Sequence, residues 1–236
     1  MLALFDLDNT LIDRQAALEN WARGFARSRG LPQDAVSTIC GQLRARAYPE
    51  DFARLGRVLR LGEAPDDLWR EYADGIAQSS RCFPGVWGGL EALRAEGWTL
   101  GVATNGAGGI QRAKLRATGL ASLFHGVGIS EETGSRKPAG GHFEAAAELC
   151  GARLSAGGWM VGDGPETDME GGRAAGLRTA WVAHGRRWND GLPAPDLVVQ
   201  GAAEAIERMR RSPRSARGPR TRVDARWLRQ SPTLNP

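Results

Sequence analysis

Beyond Phe83-Pro84-Gly85 the chain alternates short apolar runs with amphipathic stretches, and this rhythm restricts the fold more than any other feature of the sequence. It predicts helix Val86–Glu96, strand Trp98–Ala103, helix Gly109–Thr118, strand Val127–Ser130 and helix His142–Cys150. The pattern continues with strand Trp159–Val161, helix Glu166–Ala175, strands Thr179–Ala183 and Leu197–Val199, and helix Ala202–Met209. Strands that alternate with helices form a parallel sheet covered on both faces, with chemistry collecting at the carboxyl ends of the strands. One more apolar run, Leu2–Phe5, has the length of a buried strand and stops at Asp6.

Between that run and the alternating region the pattern is helical. Ala16-Ala17-Leu18, Trp21 and Phe25 recur at helical spacing. Pro32 stands where a second helix would start, and Pro65-Asp66-Asp67 opens another with acids in its first turn. The expected organisation is an α/β, Rossmann-like core from residues 1–13 and 82–207, with residues 14–81 inserted as an all-helical unit.

At 236 residues, 42% hydrophobic and 25% charged, the chain has enough apolar surface for such a core and is neither wholly disordered nor collagen-like. The net charge of +4 is unevenly placed. Nine arginines and one acid fall in residues 208–236, giving that tail +8 and leaving −4 on residues 1–207. A mildly acidic body is not a nucleic-acid-binding domain, and the tail reads as a basic, disordered segment with at most nonspecific contact to nucleic acid. No run of about 18 apolar residues exists, and Met1–Asp6 lacks the basic start of a signal peptide. Cys40, Cys82 and Cys150 form no Cys-x-x-Cys, which suits free thiols in a cytoplasmic protein with no membrane partner. Only two lysines occur, Lys114 and Lys137, so each stands out on an arginine-rich chain.

Four polar segments follow predicted strands or precede helices. In Phe5-Asp6-Leu7-Asp8-Asn9-Thr10, two carboxylates two residues apart on extended backbone project to one side. The same residues could cap a turn; a calcium loop is excluded because its fifth and sixth positions hold Thr10 and Leu11. Thr104-Asn105-Gly106 offers a hydroxyl, an amide and a close backbone approach to phosphate oxygens, or an ordinary Asn-Gly turn. Ser135-Arg136-Lys137-Pro138 contributes an amine, otherwise a solvated loop charge. Gly162-Asp163-Gly164 ends the next strand, with Asp168 five residues on. A dinucleotide loop does not fit there, since Thr167 takes the third glycine position and Asp163 would repel a pyrophosphate.

Were Asp6, Asp8, Asp163 and Asp168 to converge, they could not all ionise without compensation. A divalent cation and Lys137 supply +3 against −4, and one protonated aspartate would balance the site. All-oxygen ligands without His or Cys suit Mg²⁺, and a metal beside a phosphate-binding loop points to phosphoryl chemistry.

The order Asp-x-Asp-x-Thr, Thr-Asn-Gly, Lys-Pro, Gly-Asp-x-x-x-x-Asp resembles the haloacid dehalogenase superfamily over roughly residues 2–207. The helical insertion looks like that family's C1 cap, as in its phosphoglycolate phosphatase-like subfamily. The resemblance implies that Asp6 attacks phosphorus and Asp8 serves as general acid and then base. It implies that Thr104, with the backbone of Asn105 and Gly106, holds phosphoryl oxygens, and that Lys137, supported by Asp168, neutralises charge. Mg²⁺ would be bound by Asp6, the Asp8 carbonyl and Asp163. Dehalogenases of the superfamily lack the second acid of the first motif, so Asp8 favours phosphate transfer. Relatives often continue Lys-Pro with Asp-Pro, where this chain has Ala139-Gly140-Gly141. The resulting expectation is a phosphatase of a small phosphomonoester, with a phosphomutase of the β-phosphoglucomutase type as the alternative. A dehalogenase and a non-catalytic nucleic-acid-associated protein stand further off. Within the cap, Arg44, Arg46, Tyr48, Arg54, Arg57, Arg60 and Trp69 are candidate contacts for the leaving group.

Overall fold

The computed structural model describes residues 1–211. The first strand, β1 (Leu2–Phe5), is followed by four helices: α1 (Arg14–Ser28), α2 (Ala35–Leu43), α3 (Pro49–Leu59) and α4 (Pro65–Ser79). Then come α5 (Val86–Ala95), β2 (Thr99–Thr104), α6 (Gly108–Ala117), β3 (Gly126–Ile129), a single turn α7 (Ser130–Thr133) and α8 (Gly140–Leu149). The chain continues through β4 (Gly158–Gly162), a π-helical turn Pro165–Glu170 running into α9 (Gly171–Ala174), β5 (Arg178–Val182), β6 (Leu197–Val199) and α10 (Ala202–Arg211).

All six strands are parallel, in the order β3-β2-β1-β4-β5-β6. The first strand therefore lies at the centre, with Phe5 level with Val102 on one side and Val161 on the other. Successive side chains of β1 point to opposite faces. Ala3 and Phe5 enter a core with Leu90, Leu93, Ile206 and Met209 of α5 and α10, whereas Leu2 and Leu4 join Phe143 and Ala146 of α8. Burial on both faces is why the strand is an unbroken apolar run rather than an alternating one. At β1 the strand order changes direction, and it is there that open α/β sheets form a crevice.

The helical segment has its own core: Trp21, Phe25, Ile39, Phe52, Leu55, Tyr72 and Ile76 are buried together. Asp13 caps α1 by accepting from the Ala16 N–H at 2.9 Å. Pro49 opens α3, and the Asp51 carboxylate accepts from the Tyr48 N–H at 2.8 Å. Pro-Glu-Asp at 49–51 is the same start signal as Pro65-Asp66-Asp67, so α3 was readable although the sequence reading marked no start there. The helical segment meets the sheet-bearing part where α4 packs on α6, with Ile110 of α6 joining the helical core.

Helix α10 runs on through Arg211, so residues 208–211, counted above with the tail, are helical. Arg208 and Arg211 pair with Glu204 and Glu207 one turn earlier. The expectation for the rest of the tail, residues 212–236, lies outside the described residues. Among the described residues no helix is long and apolar enough to cross a membrane, and all three cysteines are free.

Candidate active site

The two central strands, β1 and β4, deliver the acids. Asp6 follows β1, Asp163 follows β4, and Asp168 returns from the π-helical turn beyond Asp163. Carboxylate oxygens of Asp6, Asp163 and Asp168 all lie within 4.8 Å of one another. Lys137 crosses from the loop before α8 and sits between two of them, its Nζ 2.7 Å from Asp6 Oδ1 and 2.6 Å from Asp168 Oδ1. The ammonium group is buried, which disfavours its charge, but Asp168 and Asp6 outweigh that cost and raise its pKa.

The loop that carries Lys137 is fixed by Asn105. The Asn105 amide donates to the Lys137 carbonyl at 3.0 Å and its oxygen accepts from the Lys137 N–H at 2.8 Å. The Asn105 side chain is thus spent on positioning the lysine, and its backbone alone remains for a ligand. Gly106 donates its N–H to Ser130 Oγ at 3.0 Å, and a Cβ there would meet Gln111 Cγ at 3.1 Å. Thr104 is buried, its hydroxyl accepting from Gln111 Nε2 at 2.9 Å. Gly162 makes room for the acid beyond it, since a Cβ would stand 2.3 Å from Asp168 Oδ2.

Asp8 lies apart from the three clustered acids, and its partner is a residue the sequence reading singled out only for rarity. Lys114 Nζ lies 2.8 Å from both Asp8 oxygens and 2.9 Å from Gln111 Oε1, while Gln111 Nε2 donates to Asp8 Oδ2 at 3.2 Å. Both residues stand on α6, one helical turn apart, facing the first motif. Burial raises the Asp8 pKa, but Lys114 and, further off, Arg14 overcome it and hold the carboxyl below its ordinary value.

This second lysine changes the charge balance. Asp6, Asp8, Asp163 and Asp168 carry −4 against +2 from Lys114 and Lys137, so one divalent cation neutralises the group without a protonated aspartate. With no cation among them, burial and then the charges of Asp6 and Asp168 push Asp163 up to about 8, against Arg186 and Lys137. Arg186 Nη2 lies 3.3 Å from Asp163 Oδ2 and 2.8 Å from its carbonyl. Three hard oxygen donors, with the charges of both Asp163 and Asp168 disfavoured by burial, fit a divalent cation of the Mg²⁺ type.

These groups open into a cavity of about 990 Å³ walled by both parts of the chain, including Asp6, Asp8, Thr104, Lys137 and Asp163. Of the cap candidates, Arg46, Tyr48 and Trp69 line it; Arg44, Arg54, Arg57 and Arg60 do not. Arg14, buried at the start of α1, braces the helical segment internally by donating to the Leu43 and Arg44 carbonyls at 2.8 Å each.

Residues 1–176 match the haloacid dehalogenase-like hydrolase family. Phosphoserine phosphatase of Thermus thermophilus is 35% identical over 177 residues, which cover 73% of this chain and 68% of that protein. Phosphoglycolate phosphatase of Cereibacter sphaeroides is 31% identical over 197 residues, covering 78% and 85% respectively. The structure of YfnB from Bacillus subtilis, solved with magnesium bound, superposes with a TM-score of 0.71 at 24% identity, over 89% of this chain and 98% of that one. The chain belongs to the haloacid dehalogenase-like hydrolase family, in which it resembles the phosphoglycolate phosphatase-like branch.

Proposed function

We propose that the protein is a Mg²⁺-dependent phosphatase that hydrolyses a small phosphomonoester through an aspartyl-phosphate on Asp6. The observation that carries this reading is the division of labour between the two aspartates of the first motif. Asp6 sits with Lys137, Asp163 and Asp168, and Asp8 sits across the cavity floor with Lys114 and Gln111. One carboxylate is placed as a nucleophile among charge-compensating groups, the other as a proton-transfer group with its own supporting pair.

In the first half-reaction an Asp6 oxygen attacks phosphorus in line and the bond to the leaving oxygen breaks. The Asp8–Lys114 pair, which holds one transferable proton, supplies it through Asp8 to that oxygen. In the second half, Asp8 takes a proton from a water that attacks phosphorus, inorganic phosphate leaves, and both Asp6 and the pair return to their starting states. Lys137, the Thr104 hydroxyl and the Asn105 backbone stabilise charge on the phosphoryl oxygens. Asp6, the Asp8 carbonyl and Asp163 would hold Mg²⁺, which when bound offsets the phosphoryl charge against the incoming carboxylate. The cap closes the cavity over a substrate of metabolite size and excludes bulk water.

The phosphatase names of the two relatives support hydrolysis over phosphoryl transfer between sugars. Asp8 supports phosphate chemistry over halide displacement, because a halide leaves without a proton. The test is phosphate release from p-nitrophenyl phosphate and a panel of metabolite phosphates with Mg²⁺. Full activity in Asp6→Asn, or activity indifferent to EDTA, refutes the mechanism.

A further inference from the structure

The cavity has a second polar region, away from the clustered acids. Arg46 and Tyr48 of the cap and Arg136 of the core all line it, and they are more exposed than the nearly buried Asp6. Tyr48 stands at the amino end of α3, anchored by its own N–H on Asp51. The guanidinium groups of Arg136 and Arg46 both lie against its phenol; burial raises the phenol pKa, and these two cations more than reverse the effect. Arg136 is the chain neighbour of Lys137, so the loop that brings an amine onto Asp6 brings a guanidinium to the cap.

Two like charges from different parts of the chain converge there, on one phenol, without compensation. Several other arginines do meet acids: Arg29 pairs with Glu63 and Glu71, Arg112 with Glu132, and Arg186, at the far wall of the site, with Asp163. Neither Arg46 nor Arg136 has a carboxylate within ion-pair distance among the described residues. Of the acids that line the cavity near them, Glu131 accepts from the Gly108 N–H at 2.8 Å. Planar guanidinium donors left open toward a cavity match the geometry of a carboxylate or phosphate.

We propose that Arg46 and Arg136 bind an oxyanion on the leaving-group half of the substrate, so that the preferred substrates are phosphomonoesters with a second anionic group. The proposal rests on the phosphatase reading for what happens at the other end of the cavity. Since one arginine belongs to the cap and the other to the core, the same oxyanion draws the two together. A neutral leaving group would leave the pair of cations facing each other.

Calorimetric titration of the full chain carrying Asp6→Asn, with Mg²⁺ present, tests this without turnover. Phosphoglycolate against 2-hydroxyethyl phosphate reads the carboxylate arm, and ethylene glycol bisphosphate against the same monoester reads the phosphate arm. The charged member of at least one pair should bind about tenfold more tightly, as expected for charge-assisted hydrogen bonds, and Arg46→Met or Arg136→Met should remove most of that ratio. Equal affinities in both pairs, a ratio kept in both arginine variants, or tighter binding of thymidine 5′-monophosphate than of either charged probe overturns the proposal. Turnover of p-nitrophenyl phosphate by the unmodified protein separates the two readings. Hydrolysis without the anion preference defeats this inference alone; the preference without hydrolysis defeats the phosphatase reading and leaves the subsite standing.

Discussion

Lys114 Nζ is equidistant, at 2.8 Å, from the two carboxylate oxygens of Asp8; the amine is buried on α6, while the half-buried carboxylate faces the cavity. Removing the amine leaves a half-buried carboxylate without its counter-charge and takes away the reservoir of its proton. Lys114→Met is therefore expected to lower kcat on p-nitrophenyl phosphate by one to two orders of magnitude. Asp8→Asn should cost more, about 10²–10⁴-fold, the usual contribution of a general acid–base group. Steady-state kinetics of the two single variants and the double variant check this, and the effects should be far from additive because the residues act as a unit.

Gly162 is a test of how tightly the acids are packed. A methyl group there would stand 2.3 Å from Asp168 Oδ2, so the carboxylate has to leave its place beside Lys137. Gly162→Ala should lose most of its turnover while circular dichroism shows the α/β fold retained.

Metal dependence should follow pH with a defined sign. The Asp163 carboxyl has an ordinary value of 3.8 and is raised to about 8 in the metal-free fold, by burial first and by Asp6 and Asp168 next. Folding then takes up a proton at this group, so its contribution to metal-free stability is complete below 3.8 and is lost as pH rises through about 8. Mg²⁺ competes with that proton. The increase in melting temperature produced by a fixed Mg²⁺ concentration should therefore grow across this window, and EDTA should remove it together with activity.

His142 works in the opposite sense. Its Nδ1 lies 3.0 Å from Thr133 Oγ1, its Nε2 is buried with no partner, and burial followed by the Lys137 charge lowers its pKa from 6.5 to about 4. Between those values the unfolded chain binds a proton that the folded chain refuses, so stability from this group is present above 6.5 and lost as pH falls through about 4. Thermal melts across that range should show a shallower acid decline in His142→Gln than in the unmodified protein.

The sequence by itself determined the alternation of strands and helices, the parallel sheet it implies, and the positions of Asp6, Thr104, Lys137, Asp163 and Asp168 near strand ends. These were legible because each is a local property: an apolar run has one length for a buried strand, and a polar residue at its end has one place to go. The Asn105 amide side chain reads locally as suited to phosphate oxygens, yet it serves Lys137, 32 residues away, and that pairing has no local signature. Lys114 attracted notice only as one of two lysines, because a helix face says nothing about which acid lies opposite it. The arginines of the helical segment looked alike along the chain, and only the tertiary structure placed Arg46 on the cavity wall and left Arg44, Arg54, Arg57 and Arg60 off it. Tertiary structure decided all three, since burial, counter-charge and the facing of two separately packed cores depend on contacts far apart in the chain.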